Sequence, residues 1–243
     1  FSEIYDATNK LIPWDYVIIP EGMYAGNLQM VGVIRKALPR IIFTKDATYD
    51  DAGNSVFAST GLMRDVSGSE ESKNSLELGS LGFVKWIADG LIEPIVGFGC
   101  FIDPLYTPTQ IPNQGSLAAT VLKENNIYAG LDWTRNLAVA ISSARSNDTS
   151  LRYGNSGAGV TSLELPNCSY FKKTGYRTDS LIALLYVLAT TEPDLFYFGA
   201  IAEKMPDTTD LHMYKKAVAI FPYFTADNIF HVVVFENGVE YTL

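Results

Sequence analysis

Apolar residues recur at helical spacing in several stretches of this chain, then alternate with polar ones from about Leu195 onward. The first pattern predicts helices over Asn27–Leu38, Leu76–Ala88, Leu117–Lys123 and Leu131–Ala144. A strongly apolar run, capped by Thr178-Asp179, predicts one more that reaches about Ala189. Gly90 is placed to end the second of these as a C-cap. Short strands are predicted at Tyr16–Pro20 and Ile41–Phe43. The alternating region predicts strands at Leu195–Ala202, Ala217–Phe221 and His231–Phe235. Asn237-Gly238 suits a type I′ turn, because both residues tolerate positive φ, and it should join His231–Glu236 to Val239–Leu243 as a hairpin. The spans Asp46–Asn74, 97–115 and 145–178 are rich in Gly, Asn, Ser, Asp or Pro and read as irregular.

A chain of 243 residues, 47% hydrophobic and 19% charged, can bury a sizeable core and is not compositionally disordered. Its 18 Lys+Arg against 27 Asp+Glu leave a net charge of −9. Such a surface repels phosphate backbones and lacks a basic membrane patch, so neither nucleic acid nor a lipid surface is an expected partner. The longest apolar run, Ser180–Ala189, has the length of a core helix, and no transmembrane segment is predicted. The first residue is Phe1 and not Met, which fits a chain trimmed at its start by processing or by design, with a lost signal peptide as one way to reach it. Two cysteines, Cys100 and Cys168, could form one disulfide, and two histidines without Cys/His spacing predict no metal site. No cofactor motif is present: the Gly-rich run at 154–159 lacks the Lys and the Ser or Thr of a phosphate loop.

Candidate chemistry concentrates in Leu78-Gly79-Ser80-Leu81-Gly82-Phe83-Val84-Lys85-Trp86, a tight glycine turn opening a buried helix. A nucleophile at such a helix start lies in the positive field of the helix, beside backbone N–H groups able to receive an oxyanion. Gly79-Ser80-Leu81-Gly82-Phe83-Val84 resembles the nucleophile motif Asp-Cys-Ser-Gly-Phe-Val of NlpC/P60-type cysteine peptidases, with Ser80 in the cysteine position. Two further segments follow in the family's order. Glu192-Pro193-Asp194-Leu195-Phe196-Tyr197-Phe198 is similar to its Pro-Gly-Asp-Leu-Val-Phe-Phe segment, without the Gly, and His231-Val232-Val233-Val234-Phe235 to its histidine-bearing strand.

The resemblance implies an α+β, papain-like fold, with the nucleophile helix packed on an antiparallel sheet. Residues 1–75 would pack on a catalytic domain spanning 76–243, enlarged by a helical insertion at about 91–190. It also implies a peptidoglycan peptide hydrolase or amidase that acts on stem peptides or muropeptides and is secreted or periplasmic. Ser80 would stand as nucleophile and His231 as base. Pairing across Asn237-Gly238 sets Phe235 opposite Glu240 and Val233 opposite Thr242, so Thr242 and Glu240 share a face with His231 and are the nearest groups to orient it.

A serine hydroxyl is not ionised near neutrality and needs a well-oriented base. Ser80 is therefore an engineered inactivating change, a natural pseudoenzyme residue or a working serine nucleophile, and the alternative function is a non-catalytic peptidoglycan- or peptide-binding module. A third reading is an unrelated α+β interaction protein, in which Ser80 and His231 would lie far apart in space. Beside these readings, Ser80 can serve simply as a helix-capping residue and His231 as a core histidine. His212 has no evident partner. Cys100 reads as a small buried residue. Gly154-Asn155-Ser156-Gly157-Ala158 approaches a nucleophile elbow but lacks the strand before and the helix after.

Overall fold

The computed structural model describes residues 2–8, 10–11, 19–65, 75–109, 126–146, 152–154, 170–171, 175–205 and 212–243. Its helices are α1 (Ser2–Thr8), α2 (Ala25–Ala37), α3 (Ser80–Val96), α4 (Ile102–Leu105), α5 (Ala129–Ser146) and α6 (Leu181–Thr191). Its strands are β1 (Ile41–Phe43), β2 (Ala47–Tyr49), β3 (Ser55–Phe57), β4 (Leu76–Leu78), β5 (Tyr170–Phe171), β6 (Gly175–Tyr176), β7 (Tyr197–Lys204), β8 (His212–Phe224), β9 (Phe230–Glu236) and β10 (Val239–Thr242). The expected strand at 16–20 lies largely outside the described residues. The expected helix at 117–123 and residues 155–159 of the glycine-rich run lie wholly outside them.

Helices and an antiparallel sheet make this an α+β protein. The alternating C-terminal region forms a four-stranded sheet in the order β10-β9-β8-β7, each neighbouring pair antiparallel. The hairpin has the register that its turn dictates, with Glu240 opposite Phe235 and Thr242 opposite Val233. Asn237 (φ 51) and Gly238 (φ 76) hold the left-handed conformations of the turn.

Period-2 alternation sorts the sheet into two buried faces. On one, Ala219, Phe221, Val233 and Phe235 meet Val31 and Ile34 of α2 and Phe83 and Ile87 of α3. On the other, Val218, Ile220 and Val232 meet Leu184, Leu185 and Leu188 of α6. The helices of residues 91–190 are thus split between the two faces, because α5 packs with α3 while α6 covers the reverse side. Val84, Ala88 and Ile92 of α3 and Trp133, Leu137 and Ile141 of α5, two rows spaced by four residues, interdigitate in one cluster. The Trp133 indole N–H donates to Leu81 O at 3.0 Å, which settles the polar atom of a fully buried ring.

Several local expectations change. Leu76–Leu78 is a strand, parallel to β1, and the helix begins at Ser80. It runs past Gly90, since Ile92 continues its buried stripe, and ends at Gly97, whose φ of 88° supplies the left-handed cap. The polar span after Asp46 holds a hairpin, β2–β3. Its turn is built by Asp50, whose Oδ1 accepts the N–H groups of Ala52 (3.0 Å) and Asn54 (2.7 Å). His212 is the half-buried first residue of β8.

Candidate functional site

Gly79 and Gly82 let α3 begin almost in contact with β2. A side chain at Gly79 would stand 2.9 Å from Asp46 N, and one at Gly82 only 2.1 Å from Ala47 O. Gly79 N–H donates to Ala47 O (2.8 Å), and Phe83 N–H closes the first helical turn on Gly79 O (2.8 Å). This seats Ser80, the first residue of α3, on the middle of β8. There its Oγ accepts Ala217 N–H (2.7 Å) and donates to Ala217 O (3.1 Å). The pairing of β9 with β8 stops opposite Ala219, so the serine hydroxyl satisfies backbone groups of β8 just beyond the end of its neighbour.

The expected nucleophile–base pair is not assembled. His231 lies opposite Tyr223, six residues along β8 from Ala217. At the rise of a β-strand this separates it from Ser80 by about 20 Å. The His231 ring stacks on Tyr223 with centroids 5.6 Å apart. Nor do the expected orienting groups serve it. Both oxygens of Glu240 are held by Arg35, Oε2 by Nε at 2.8 Å and Oε1 by Nη2 at 2.5 Å, and this guanidinium keeps the carboxyl below its usual range. Thr242 is exposed, diagonal to His231 across the hairpin, and makes no hydrogen bond to it among the described residues. The sheet residue that faces the start of α3 is Ala217, which has no group able to take a proton.

Cys100 is a small buried residue, as its surroundings in the sequence predict. It is a free thiol, 4% exposed, and burial first, then the Asp89 carboxylate, push it up to about 12. In a Cys168→Ser background the native protein should resist iodoacetamide at mildly alkaline pH and react fully in denaturant, as read by mass. Native labelling at the rate of an ordinary thiol would contradict this burial.

A groove of about 850 Å³ runs along the flank of α3, between it, α2 and β2. Met30, Ile34, Leu78, Trp86, Ile87 and Phe196 give it an apolar lining. Its polar side chains include the carboxylates of Asp50, Asp89, Glu93 and Asp194 and one cation, Arg145. Asp194, at a φ of 60°, reaches across 168 residues of sequence to cap α2: Oδ2 accepts Gly26 N–H (3.2 Å) and Oδ1 accepts Asn27 N–H (2.8 Å). Asn27 is 1% exposed, and its Nδ2 donates to Leu195 O (2.9 Å) and Pro222 O (3.0 Å). Its Oδ1 is buried with no hydrogen-bond partner among the described residues. Burial pushes the Asp50 carboxyl up, yet the hydrogen bonds of Asn54 and Ala52 and the charge of Lys85 outweigh that and keep it lowered.

Sequence reasoning passed over Asn27, although a signal was present: it shares the buried stripe of α2 with Val31 and Ile34, a polar residue where an apolar one belongs. Among the described residues no group of three or more His, Cys, Asp or Glu could hold a metal ion, and no helix is long and apolar enough to cross a membrane. No known protein family, curated protein or solved structure matches this chain.

Proposed function

We propose that this chain binds peptides of the cell-wall stem-peptide class without cleaving them, on a papain-like build that lacks a working nucleophile–base pair. The observation that carries this reading is the clip between Ser80 and β8. The residue in the nucleophile position spends its hydroxyl on the backbone of Ala217, and the residue facing it is an alanine. A helix start packed on an antiparallel sheet that follows it in the chain supports the papain-like build. The segments at 79–84 and 192–198 that resemble NlpC/P60 peptidases support the ligand class, whereas the histidine strand does not stand where that resemblance puts it, and location in a bacterial envelope belongs to the same proposal. The groove beside α3 is of a size usual for small-ligand sites.

The test is incubation with a disaccharide-tetrapeptide muropeptide, with binding followed by calorimetry and cleavage by mass spectrometry. The expected result is saturable binding, no cleavage, and still no cleavage after Ser80→Cys, since His231 is too distant to form a thiolate–imidazolium pair. Cleavage by the wild-type chain, or by the cysteine variant, would overturn the proposal.

A further inference from the structure

The two edges of the four-stranded sheet differ in character. β7 carries a register break between Ile201 and Glu203 and finishes on Lys204, its one exposed residue. A broken register and a lysine are devices that keep a sheet edge from pairing further. β10 has neither. Val239, Tyr241 and Leu243 are 49%, 48% and 50% exposed, a row of large side chains along the outermost strand. Tyr241 stands opposite Val234, which packs into the cluster under α6, so the row carries that buried face on to the margin of the sheet. The strand's single charge, Glu240, points to the other face and is taken up by Arg35.

The backbone of β10 limits what this edge can accept. Leu243 N–H donates to Val232 O at 3.0 Å, so Leu243, and by alternation Tyr241 and Val239, turn their backbone groups onto β9. Glu240 and Thr242 turn theirs outward, where no strand of the described residues pairs with them. We propose that a second copy of this chain covers the edge, its β10 antiparallel to the first and centred on Tyr241, so that the two sheets become one. In this register Glu240 of each copy exchanges both backbone hydrogen bonds with Thr242 of the other. Val239 faces Leu243, and the two Tyr241 side chains meet at a non-hydrogen-bonded position, where opposed side chains come closest. Centring on Glu240 would set two carboxylates opposite each other, and centring on Thr242 would leave Val239 uncovered. A shift by one residue would set outward backbone groups against inward ones. The strand is thus complementary to itself, apolar row on apolar row with its carboxylates apart, and a two-fold axis through Tyr241 closes the pair.

Sedimentation equilibrium of the wild-type chain over micromolar concentrations should show a reversible monomer–dimer equilibrium. Thr242→Pro removes an N–H that points to the edge and none that bonds β9, so the hairpin keeps its ladder. It deletes one contact hydrogen bond from each copy and should weaken the dimer by roughly tenfold or more, with the thermal melt of the monomer unchanged. The register is read by oxidation in a Cys168→Ser background. Tyr241→Cys sets two thiols across the axis, with Cα atoms about 4.5 Å apart and within disulfide range, and should cross-link as a dimer. Val239→Cys faces Leu243 and should not. A chain that stays monomeric throughout would overturn the proposal. So would a dimer that Thr242→Pro leaves as tight as before, which would use another surface, or one that cross-links at Val239 as readily as at Tyr241.

Discussion

A Gly82→Ala variant is expected to lose roughly 3 kcal/mol of stability, the upper part of the range for overpacking a filled interior. In a chain of this size that corresponds to a melting temperature lower by about 6–12 °C. The added methyl would stand 2.1 Å from Ala47 O and 3.0 Å from Thr48 Cβ, and what it meets first is backbone. That carbonyl cannot retreat cheaply. It accepts Gly79 N–H, and Ala47 N–H is itself held by Thr44 O, so moving β2 breaks the seat of α3. The control is on the same helix: Gly90→Ala meets nothing within 4 Å and should gain about 0.5–1 kcal/mol from its better helix propensity. Urea and thermal melts of the two variants separate the effects. A Gly82→Ala protein as stable as the wild type would mean that α3 and β2 are not in contact.

That contact also explains how much of the molecule was legible in its sequence. The C-terminal sheet was, because alternation and an Asn-Gly turn are local signals that together set a register, and the pairs Glu240–Phe235 and Thr242–Val233 follow from counting outward. The end of α3 was not. Gly90 reads as a stop, yet the stripe through Val84, Ala88 and Ile92 continues past it onto α5, and tertiary burial outweighs the local cost of a glycine. The β2–β3 hairpin was hidden by its composition, since its turn is made by an aspartate side chain rather than by a glycine pair.

The candidate site fails for a different reason. Two neighbouring strands carry similar apolar runs, Ala217–Phe221 on β8 and His231–Phe235 on β9, and the motif selects the one that has a histidine. Which of them passes the start of α3 is decided by packing at long range. The glycines at 79 and 82 seat the helix end over β8, and the side chain it finds there is Ala217. Asn27 and Asp194 were equally hard to pair, because one caps and lines what the other begins across 167 residues of sequence.

An Asp89→Ala variant is expected to cost about 3–5 kcal/mol, the loss typical of breaking a buried ion pair from one side. Lys85 is 1% exposed within a helix that is apolar nearly all round, and its ammonium is held by Asp89 Oδ2 at 2.5 Å. Removing the carboxylate strands that charge in the interior and also frees Cys100 N–H, which Oδ1 accepts at 2.7 Å. The reverse change is milder. Lys85→Met replaces the stem with an apolar chain of similar length. It leaves Asp89, whose side chain is 16% exposed, in reach of water and still bonded to Cys100 N–H. The pair therefore predicts an asymmetric cycle, with Asp89→Ala far worse than Lys85→Met and the double variant more stable than Asp89→Ala alone. Urea midpoints of the three variants measure the losses and the recovery. Equal losses from the two single changes would mean that Lys85 is reached by solvent, and the pair would then be worth no more than one at the surface.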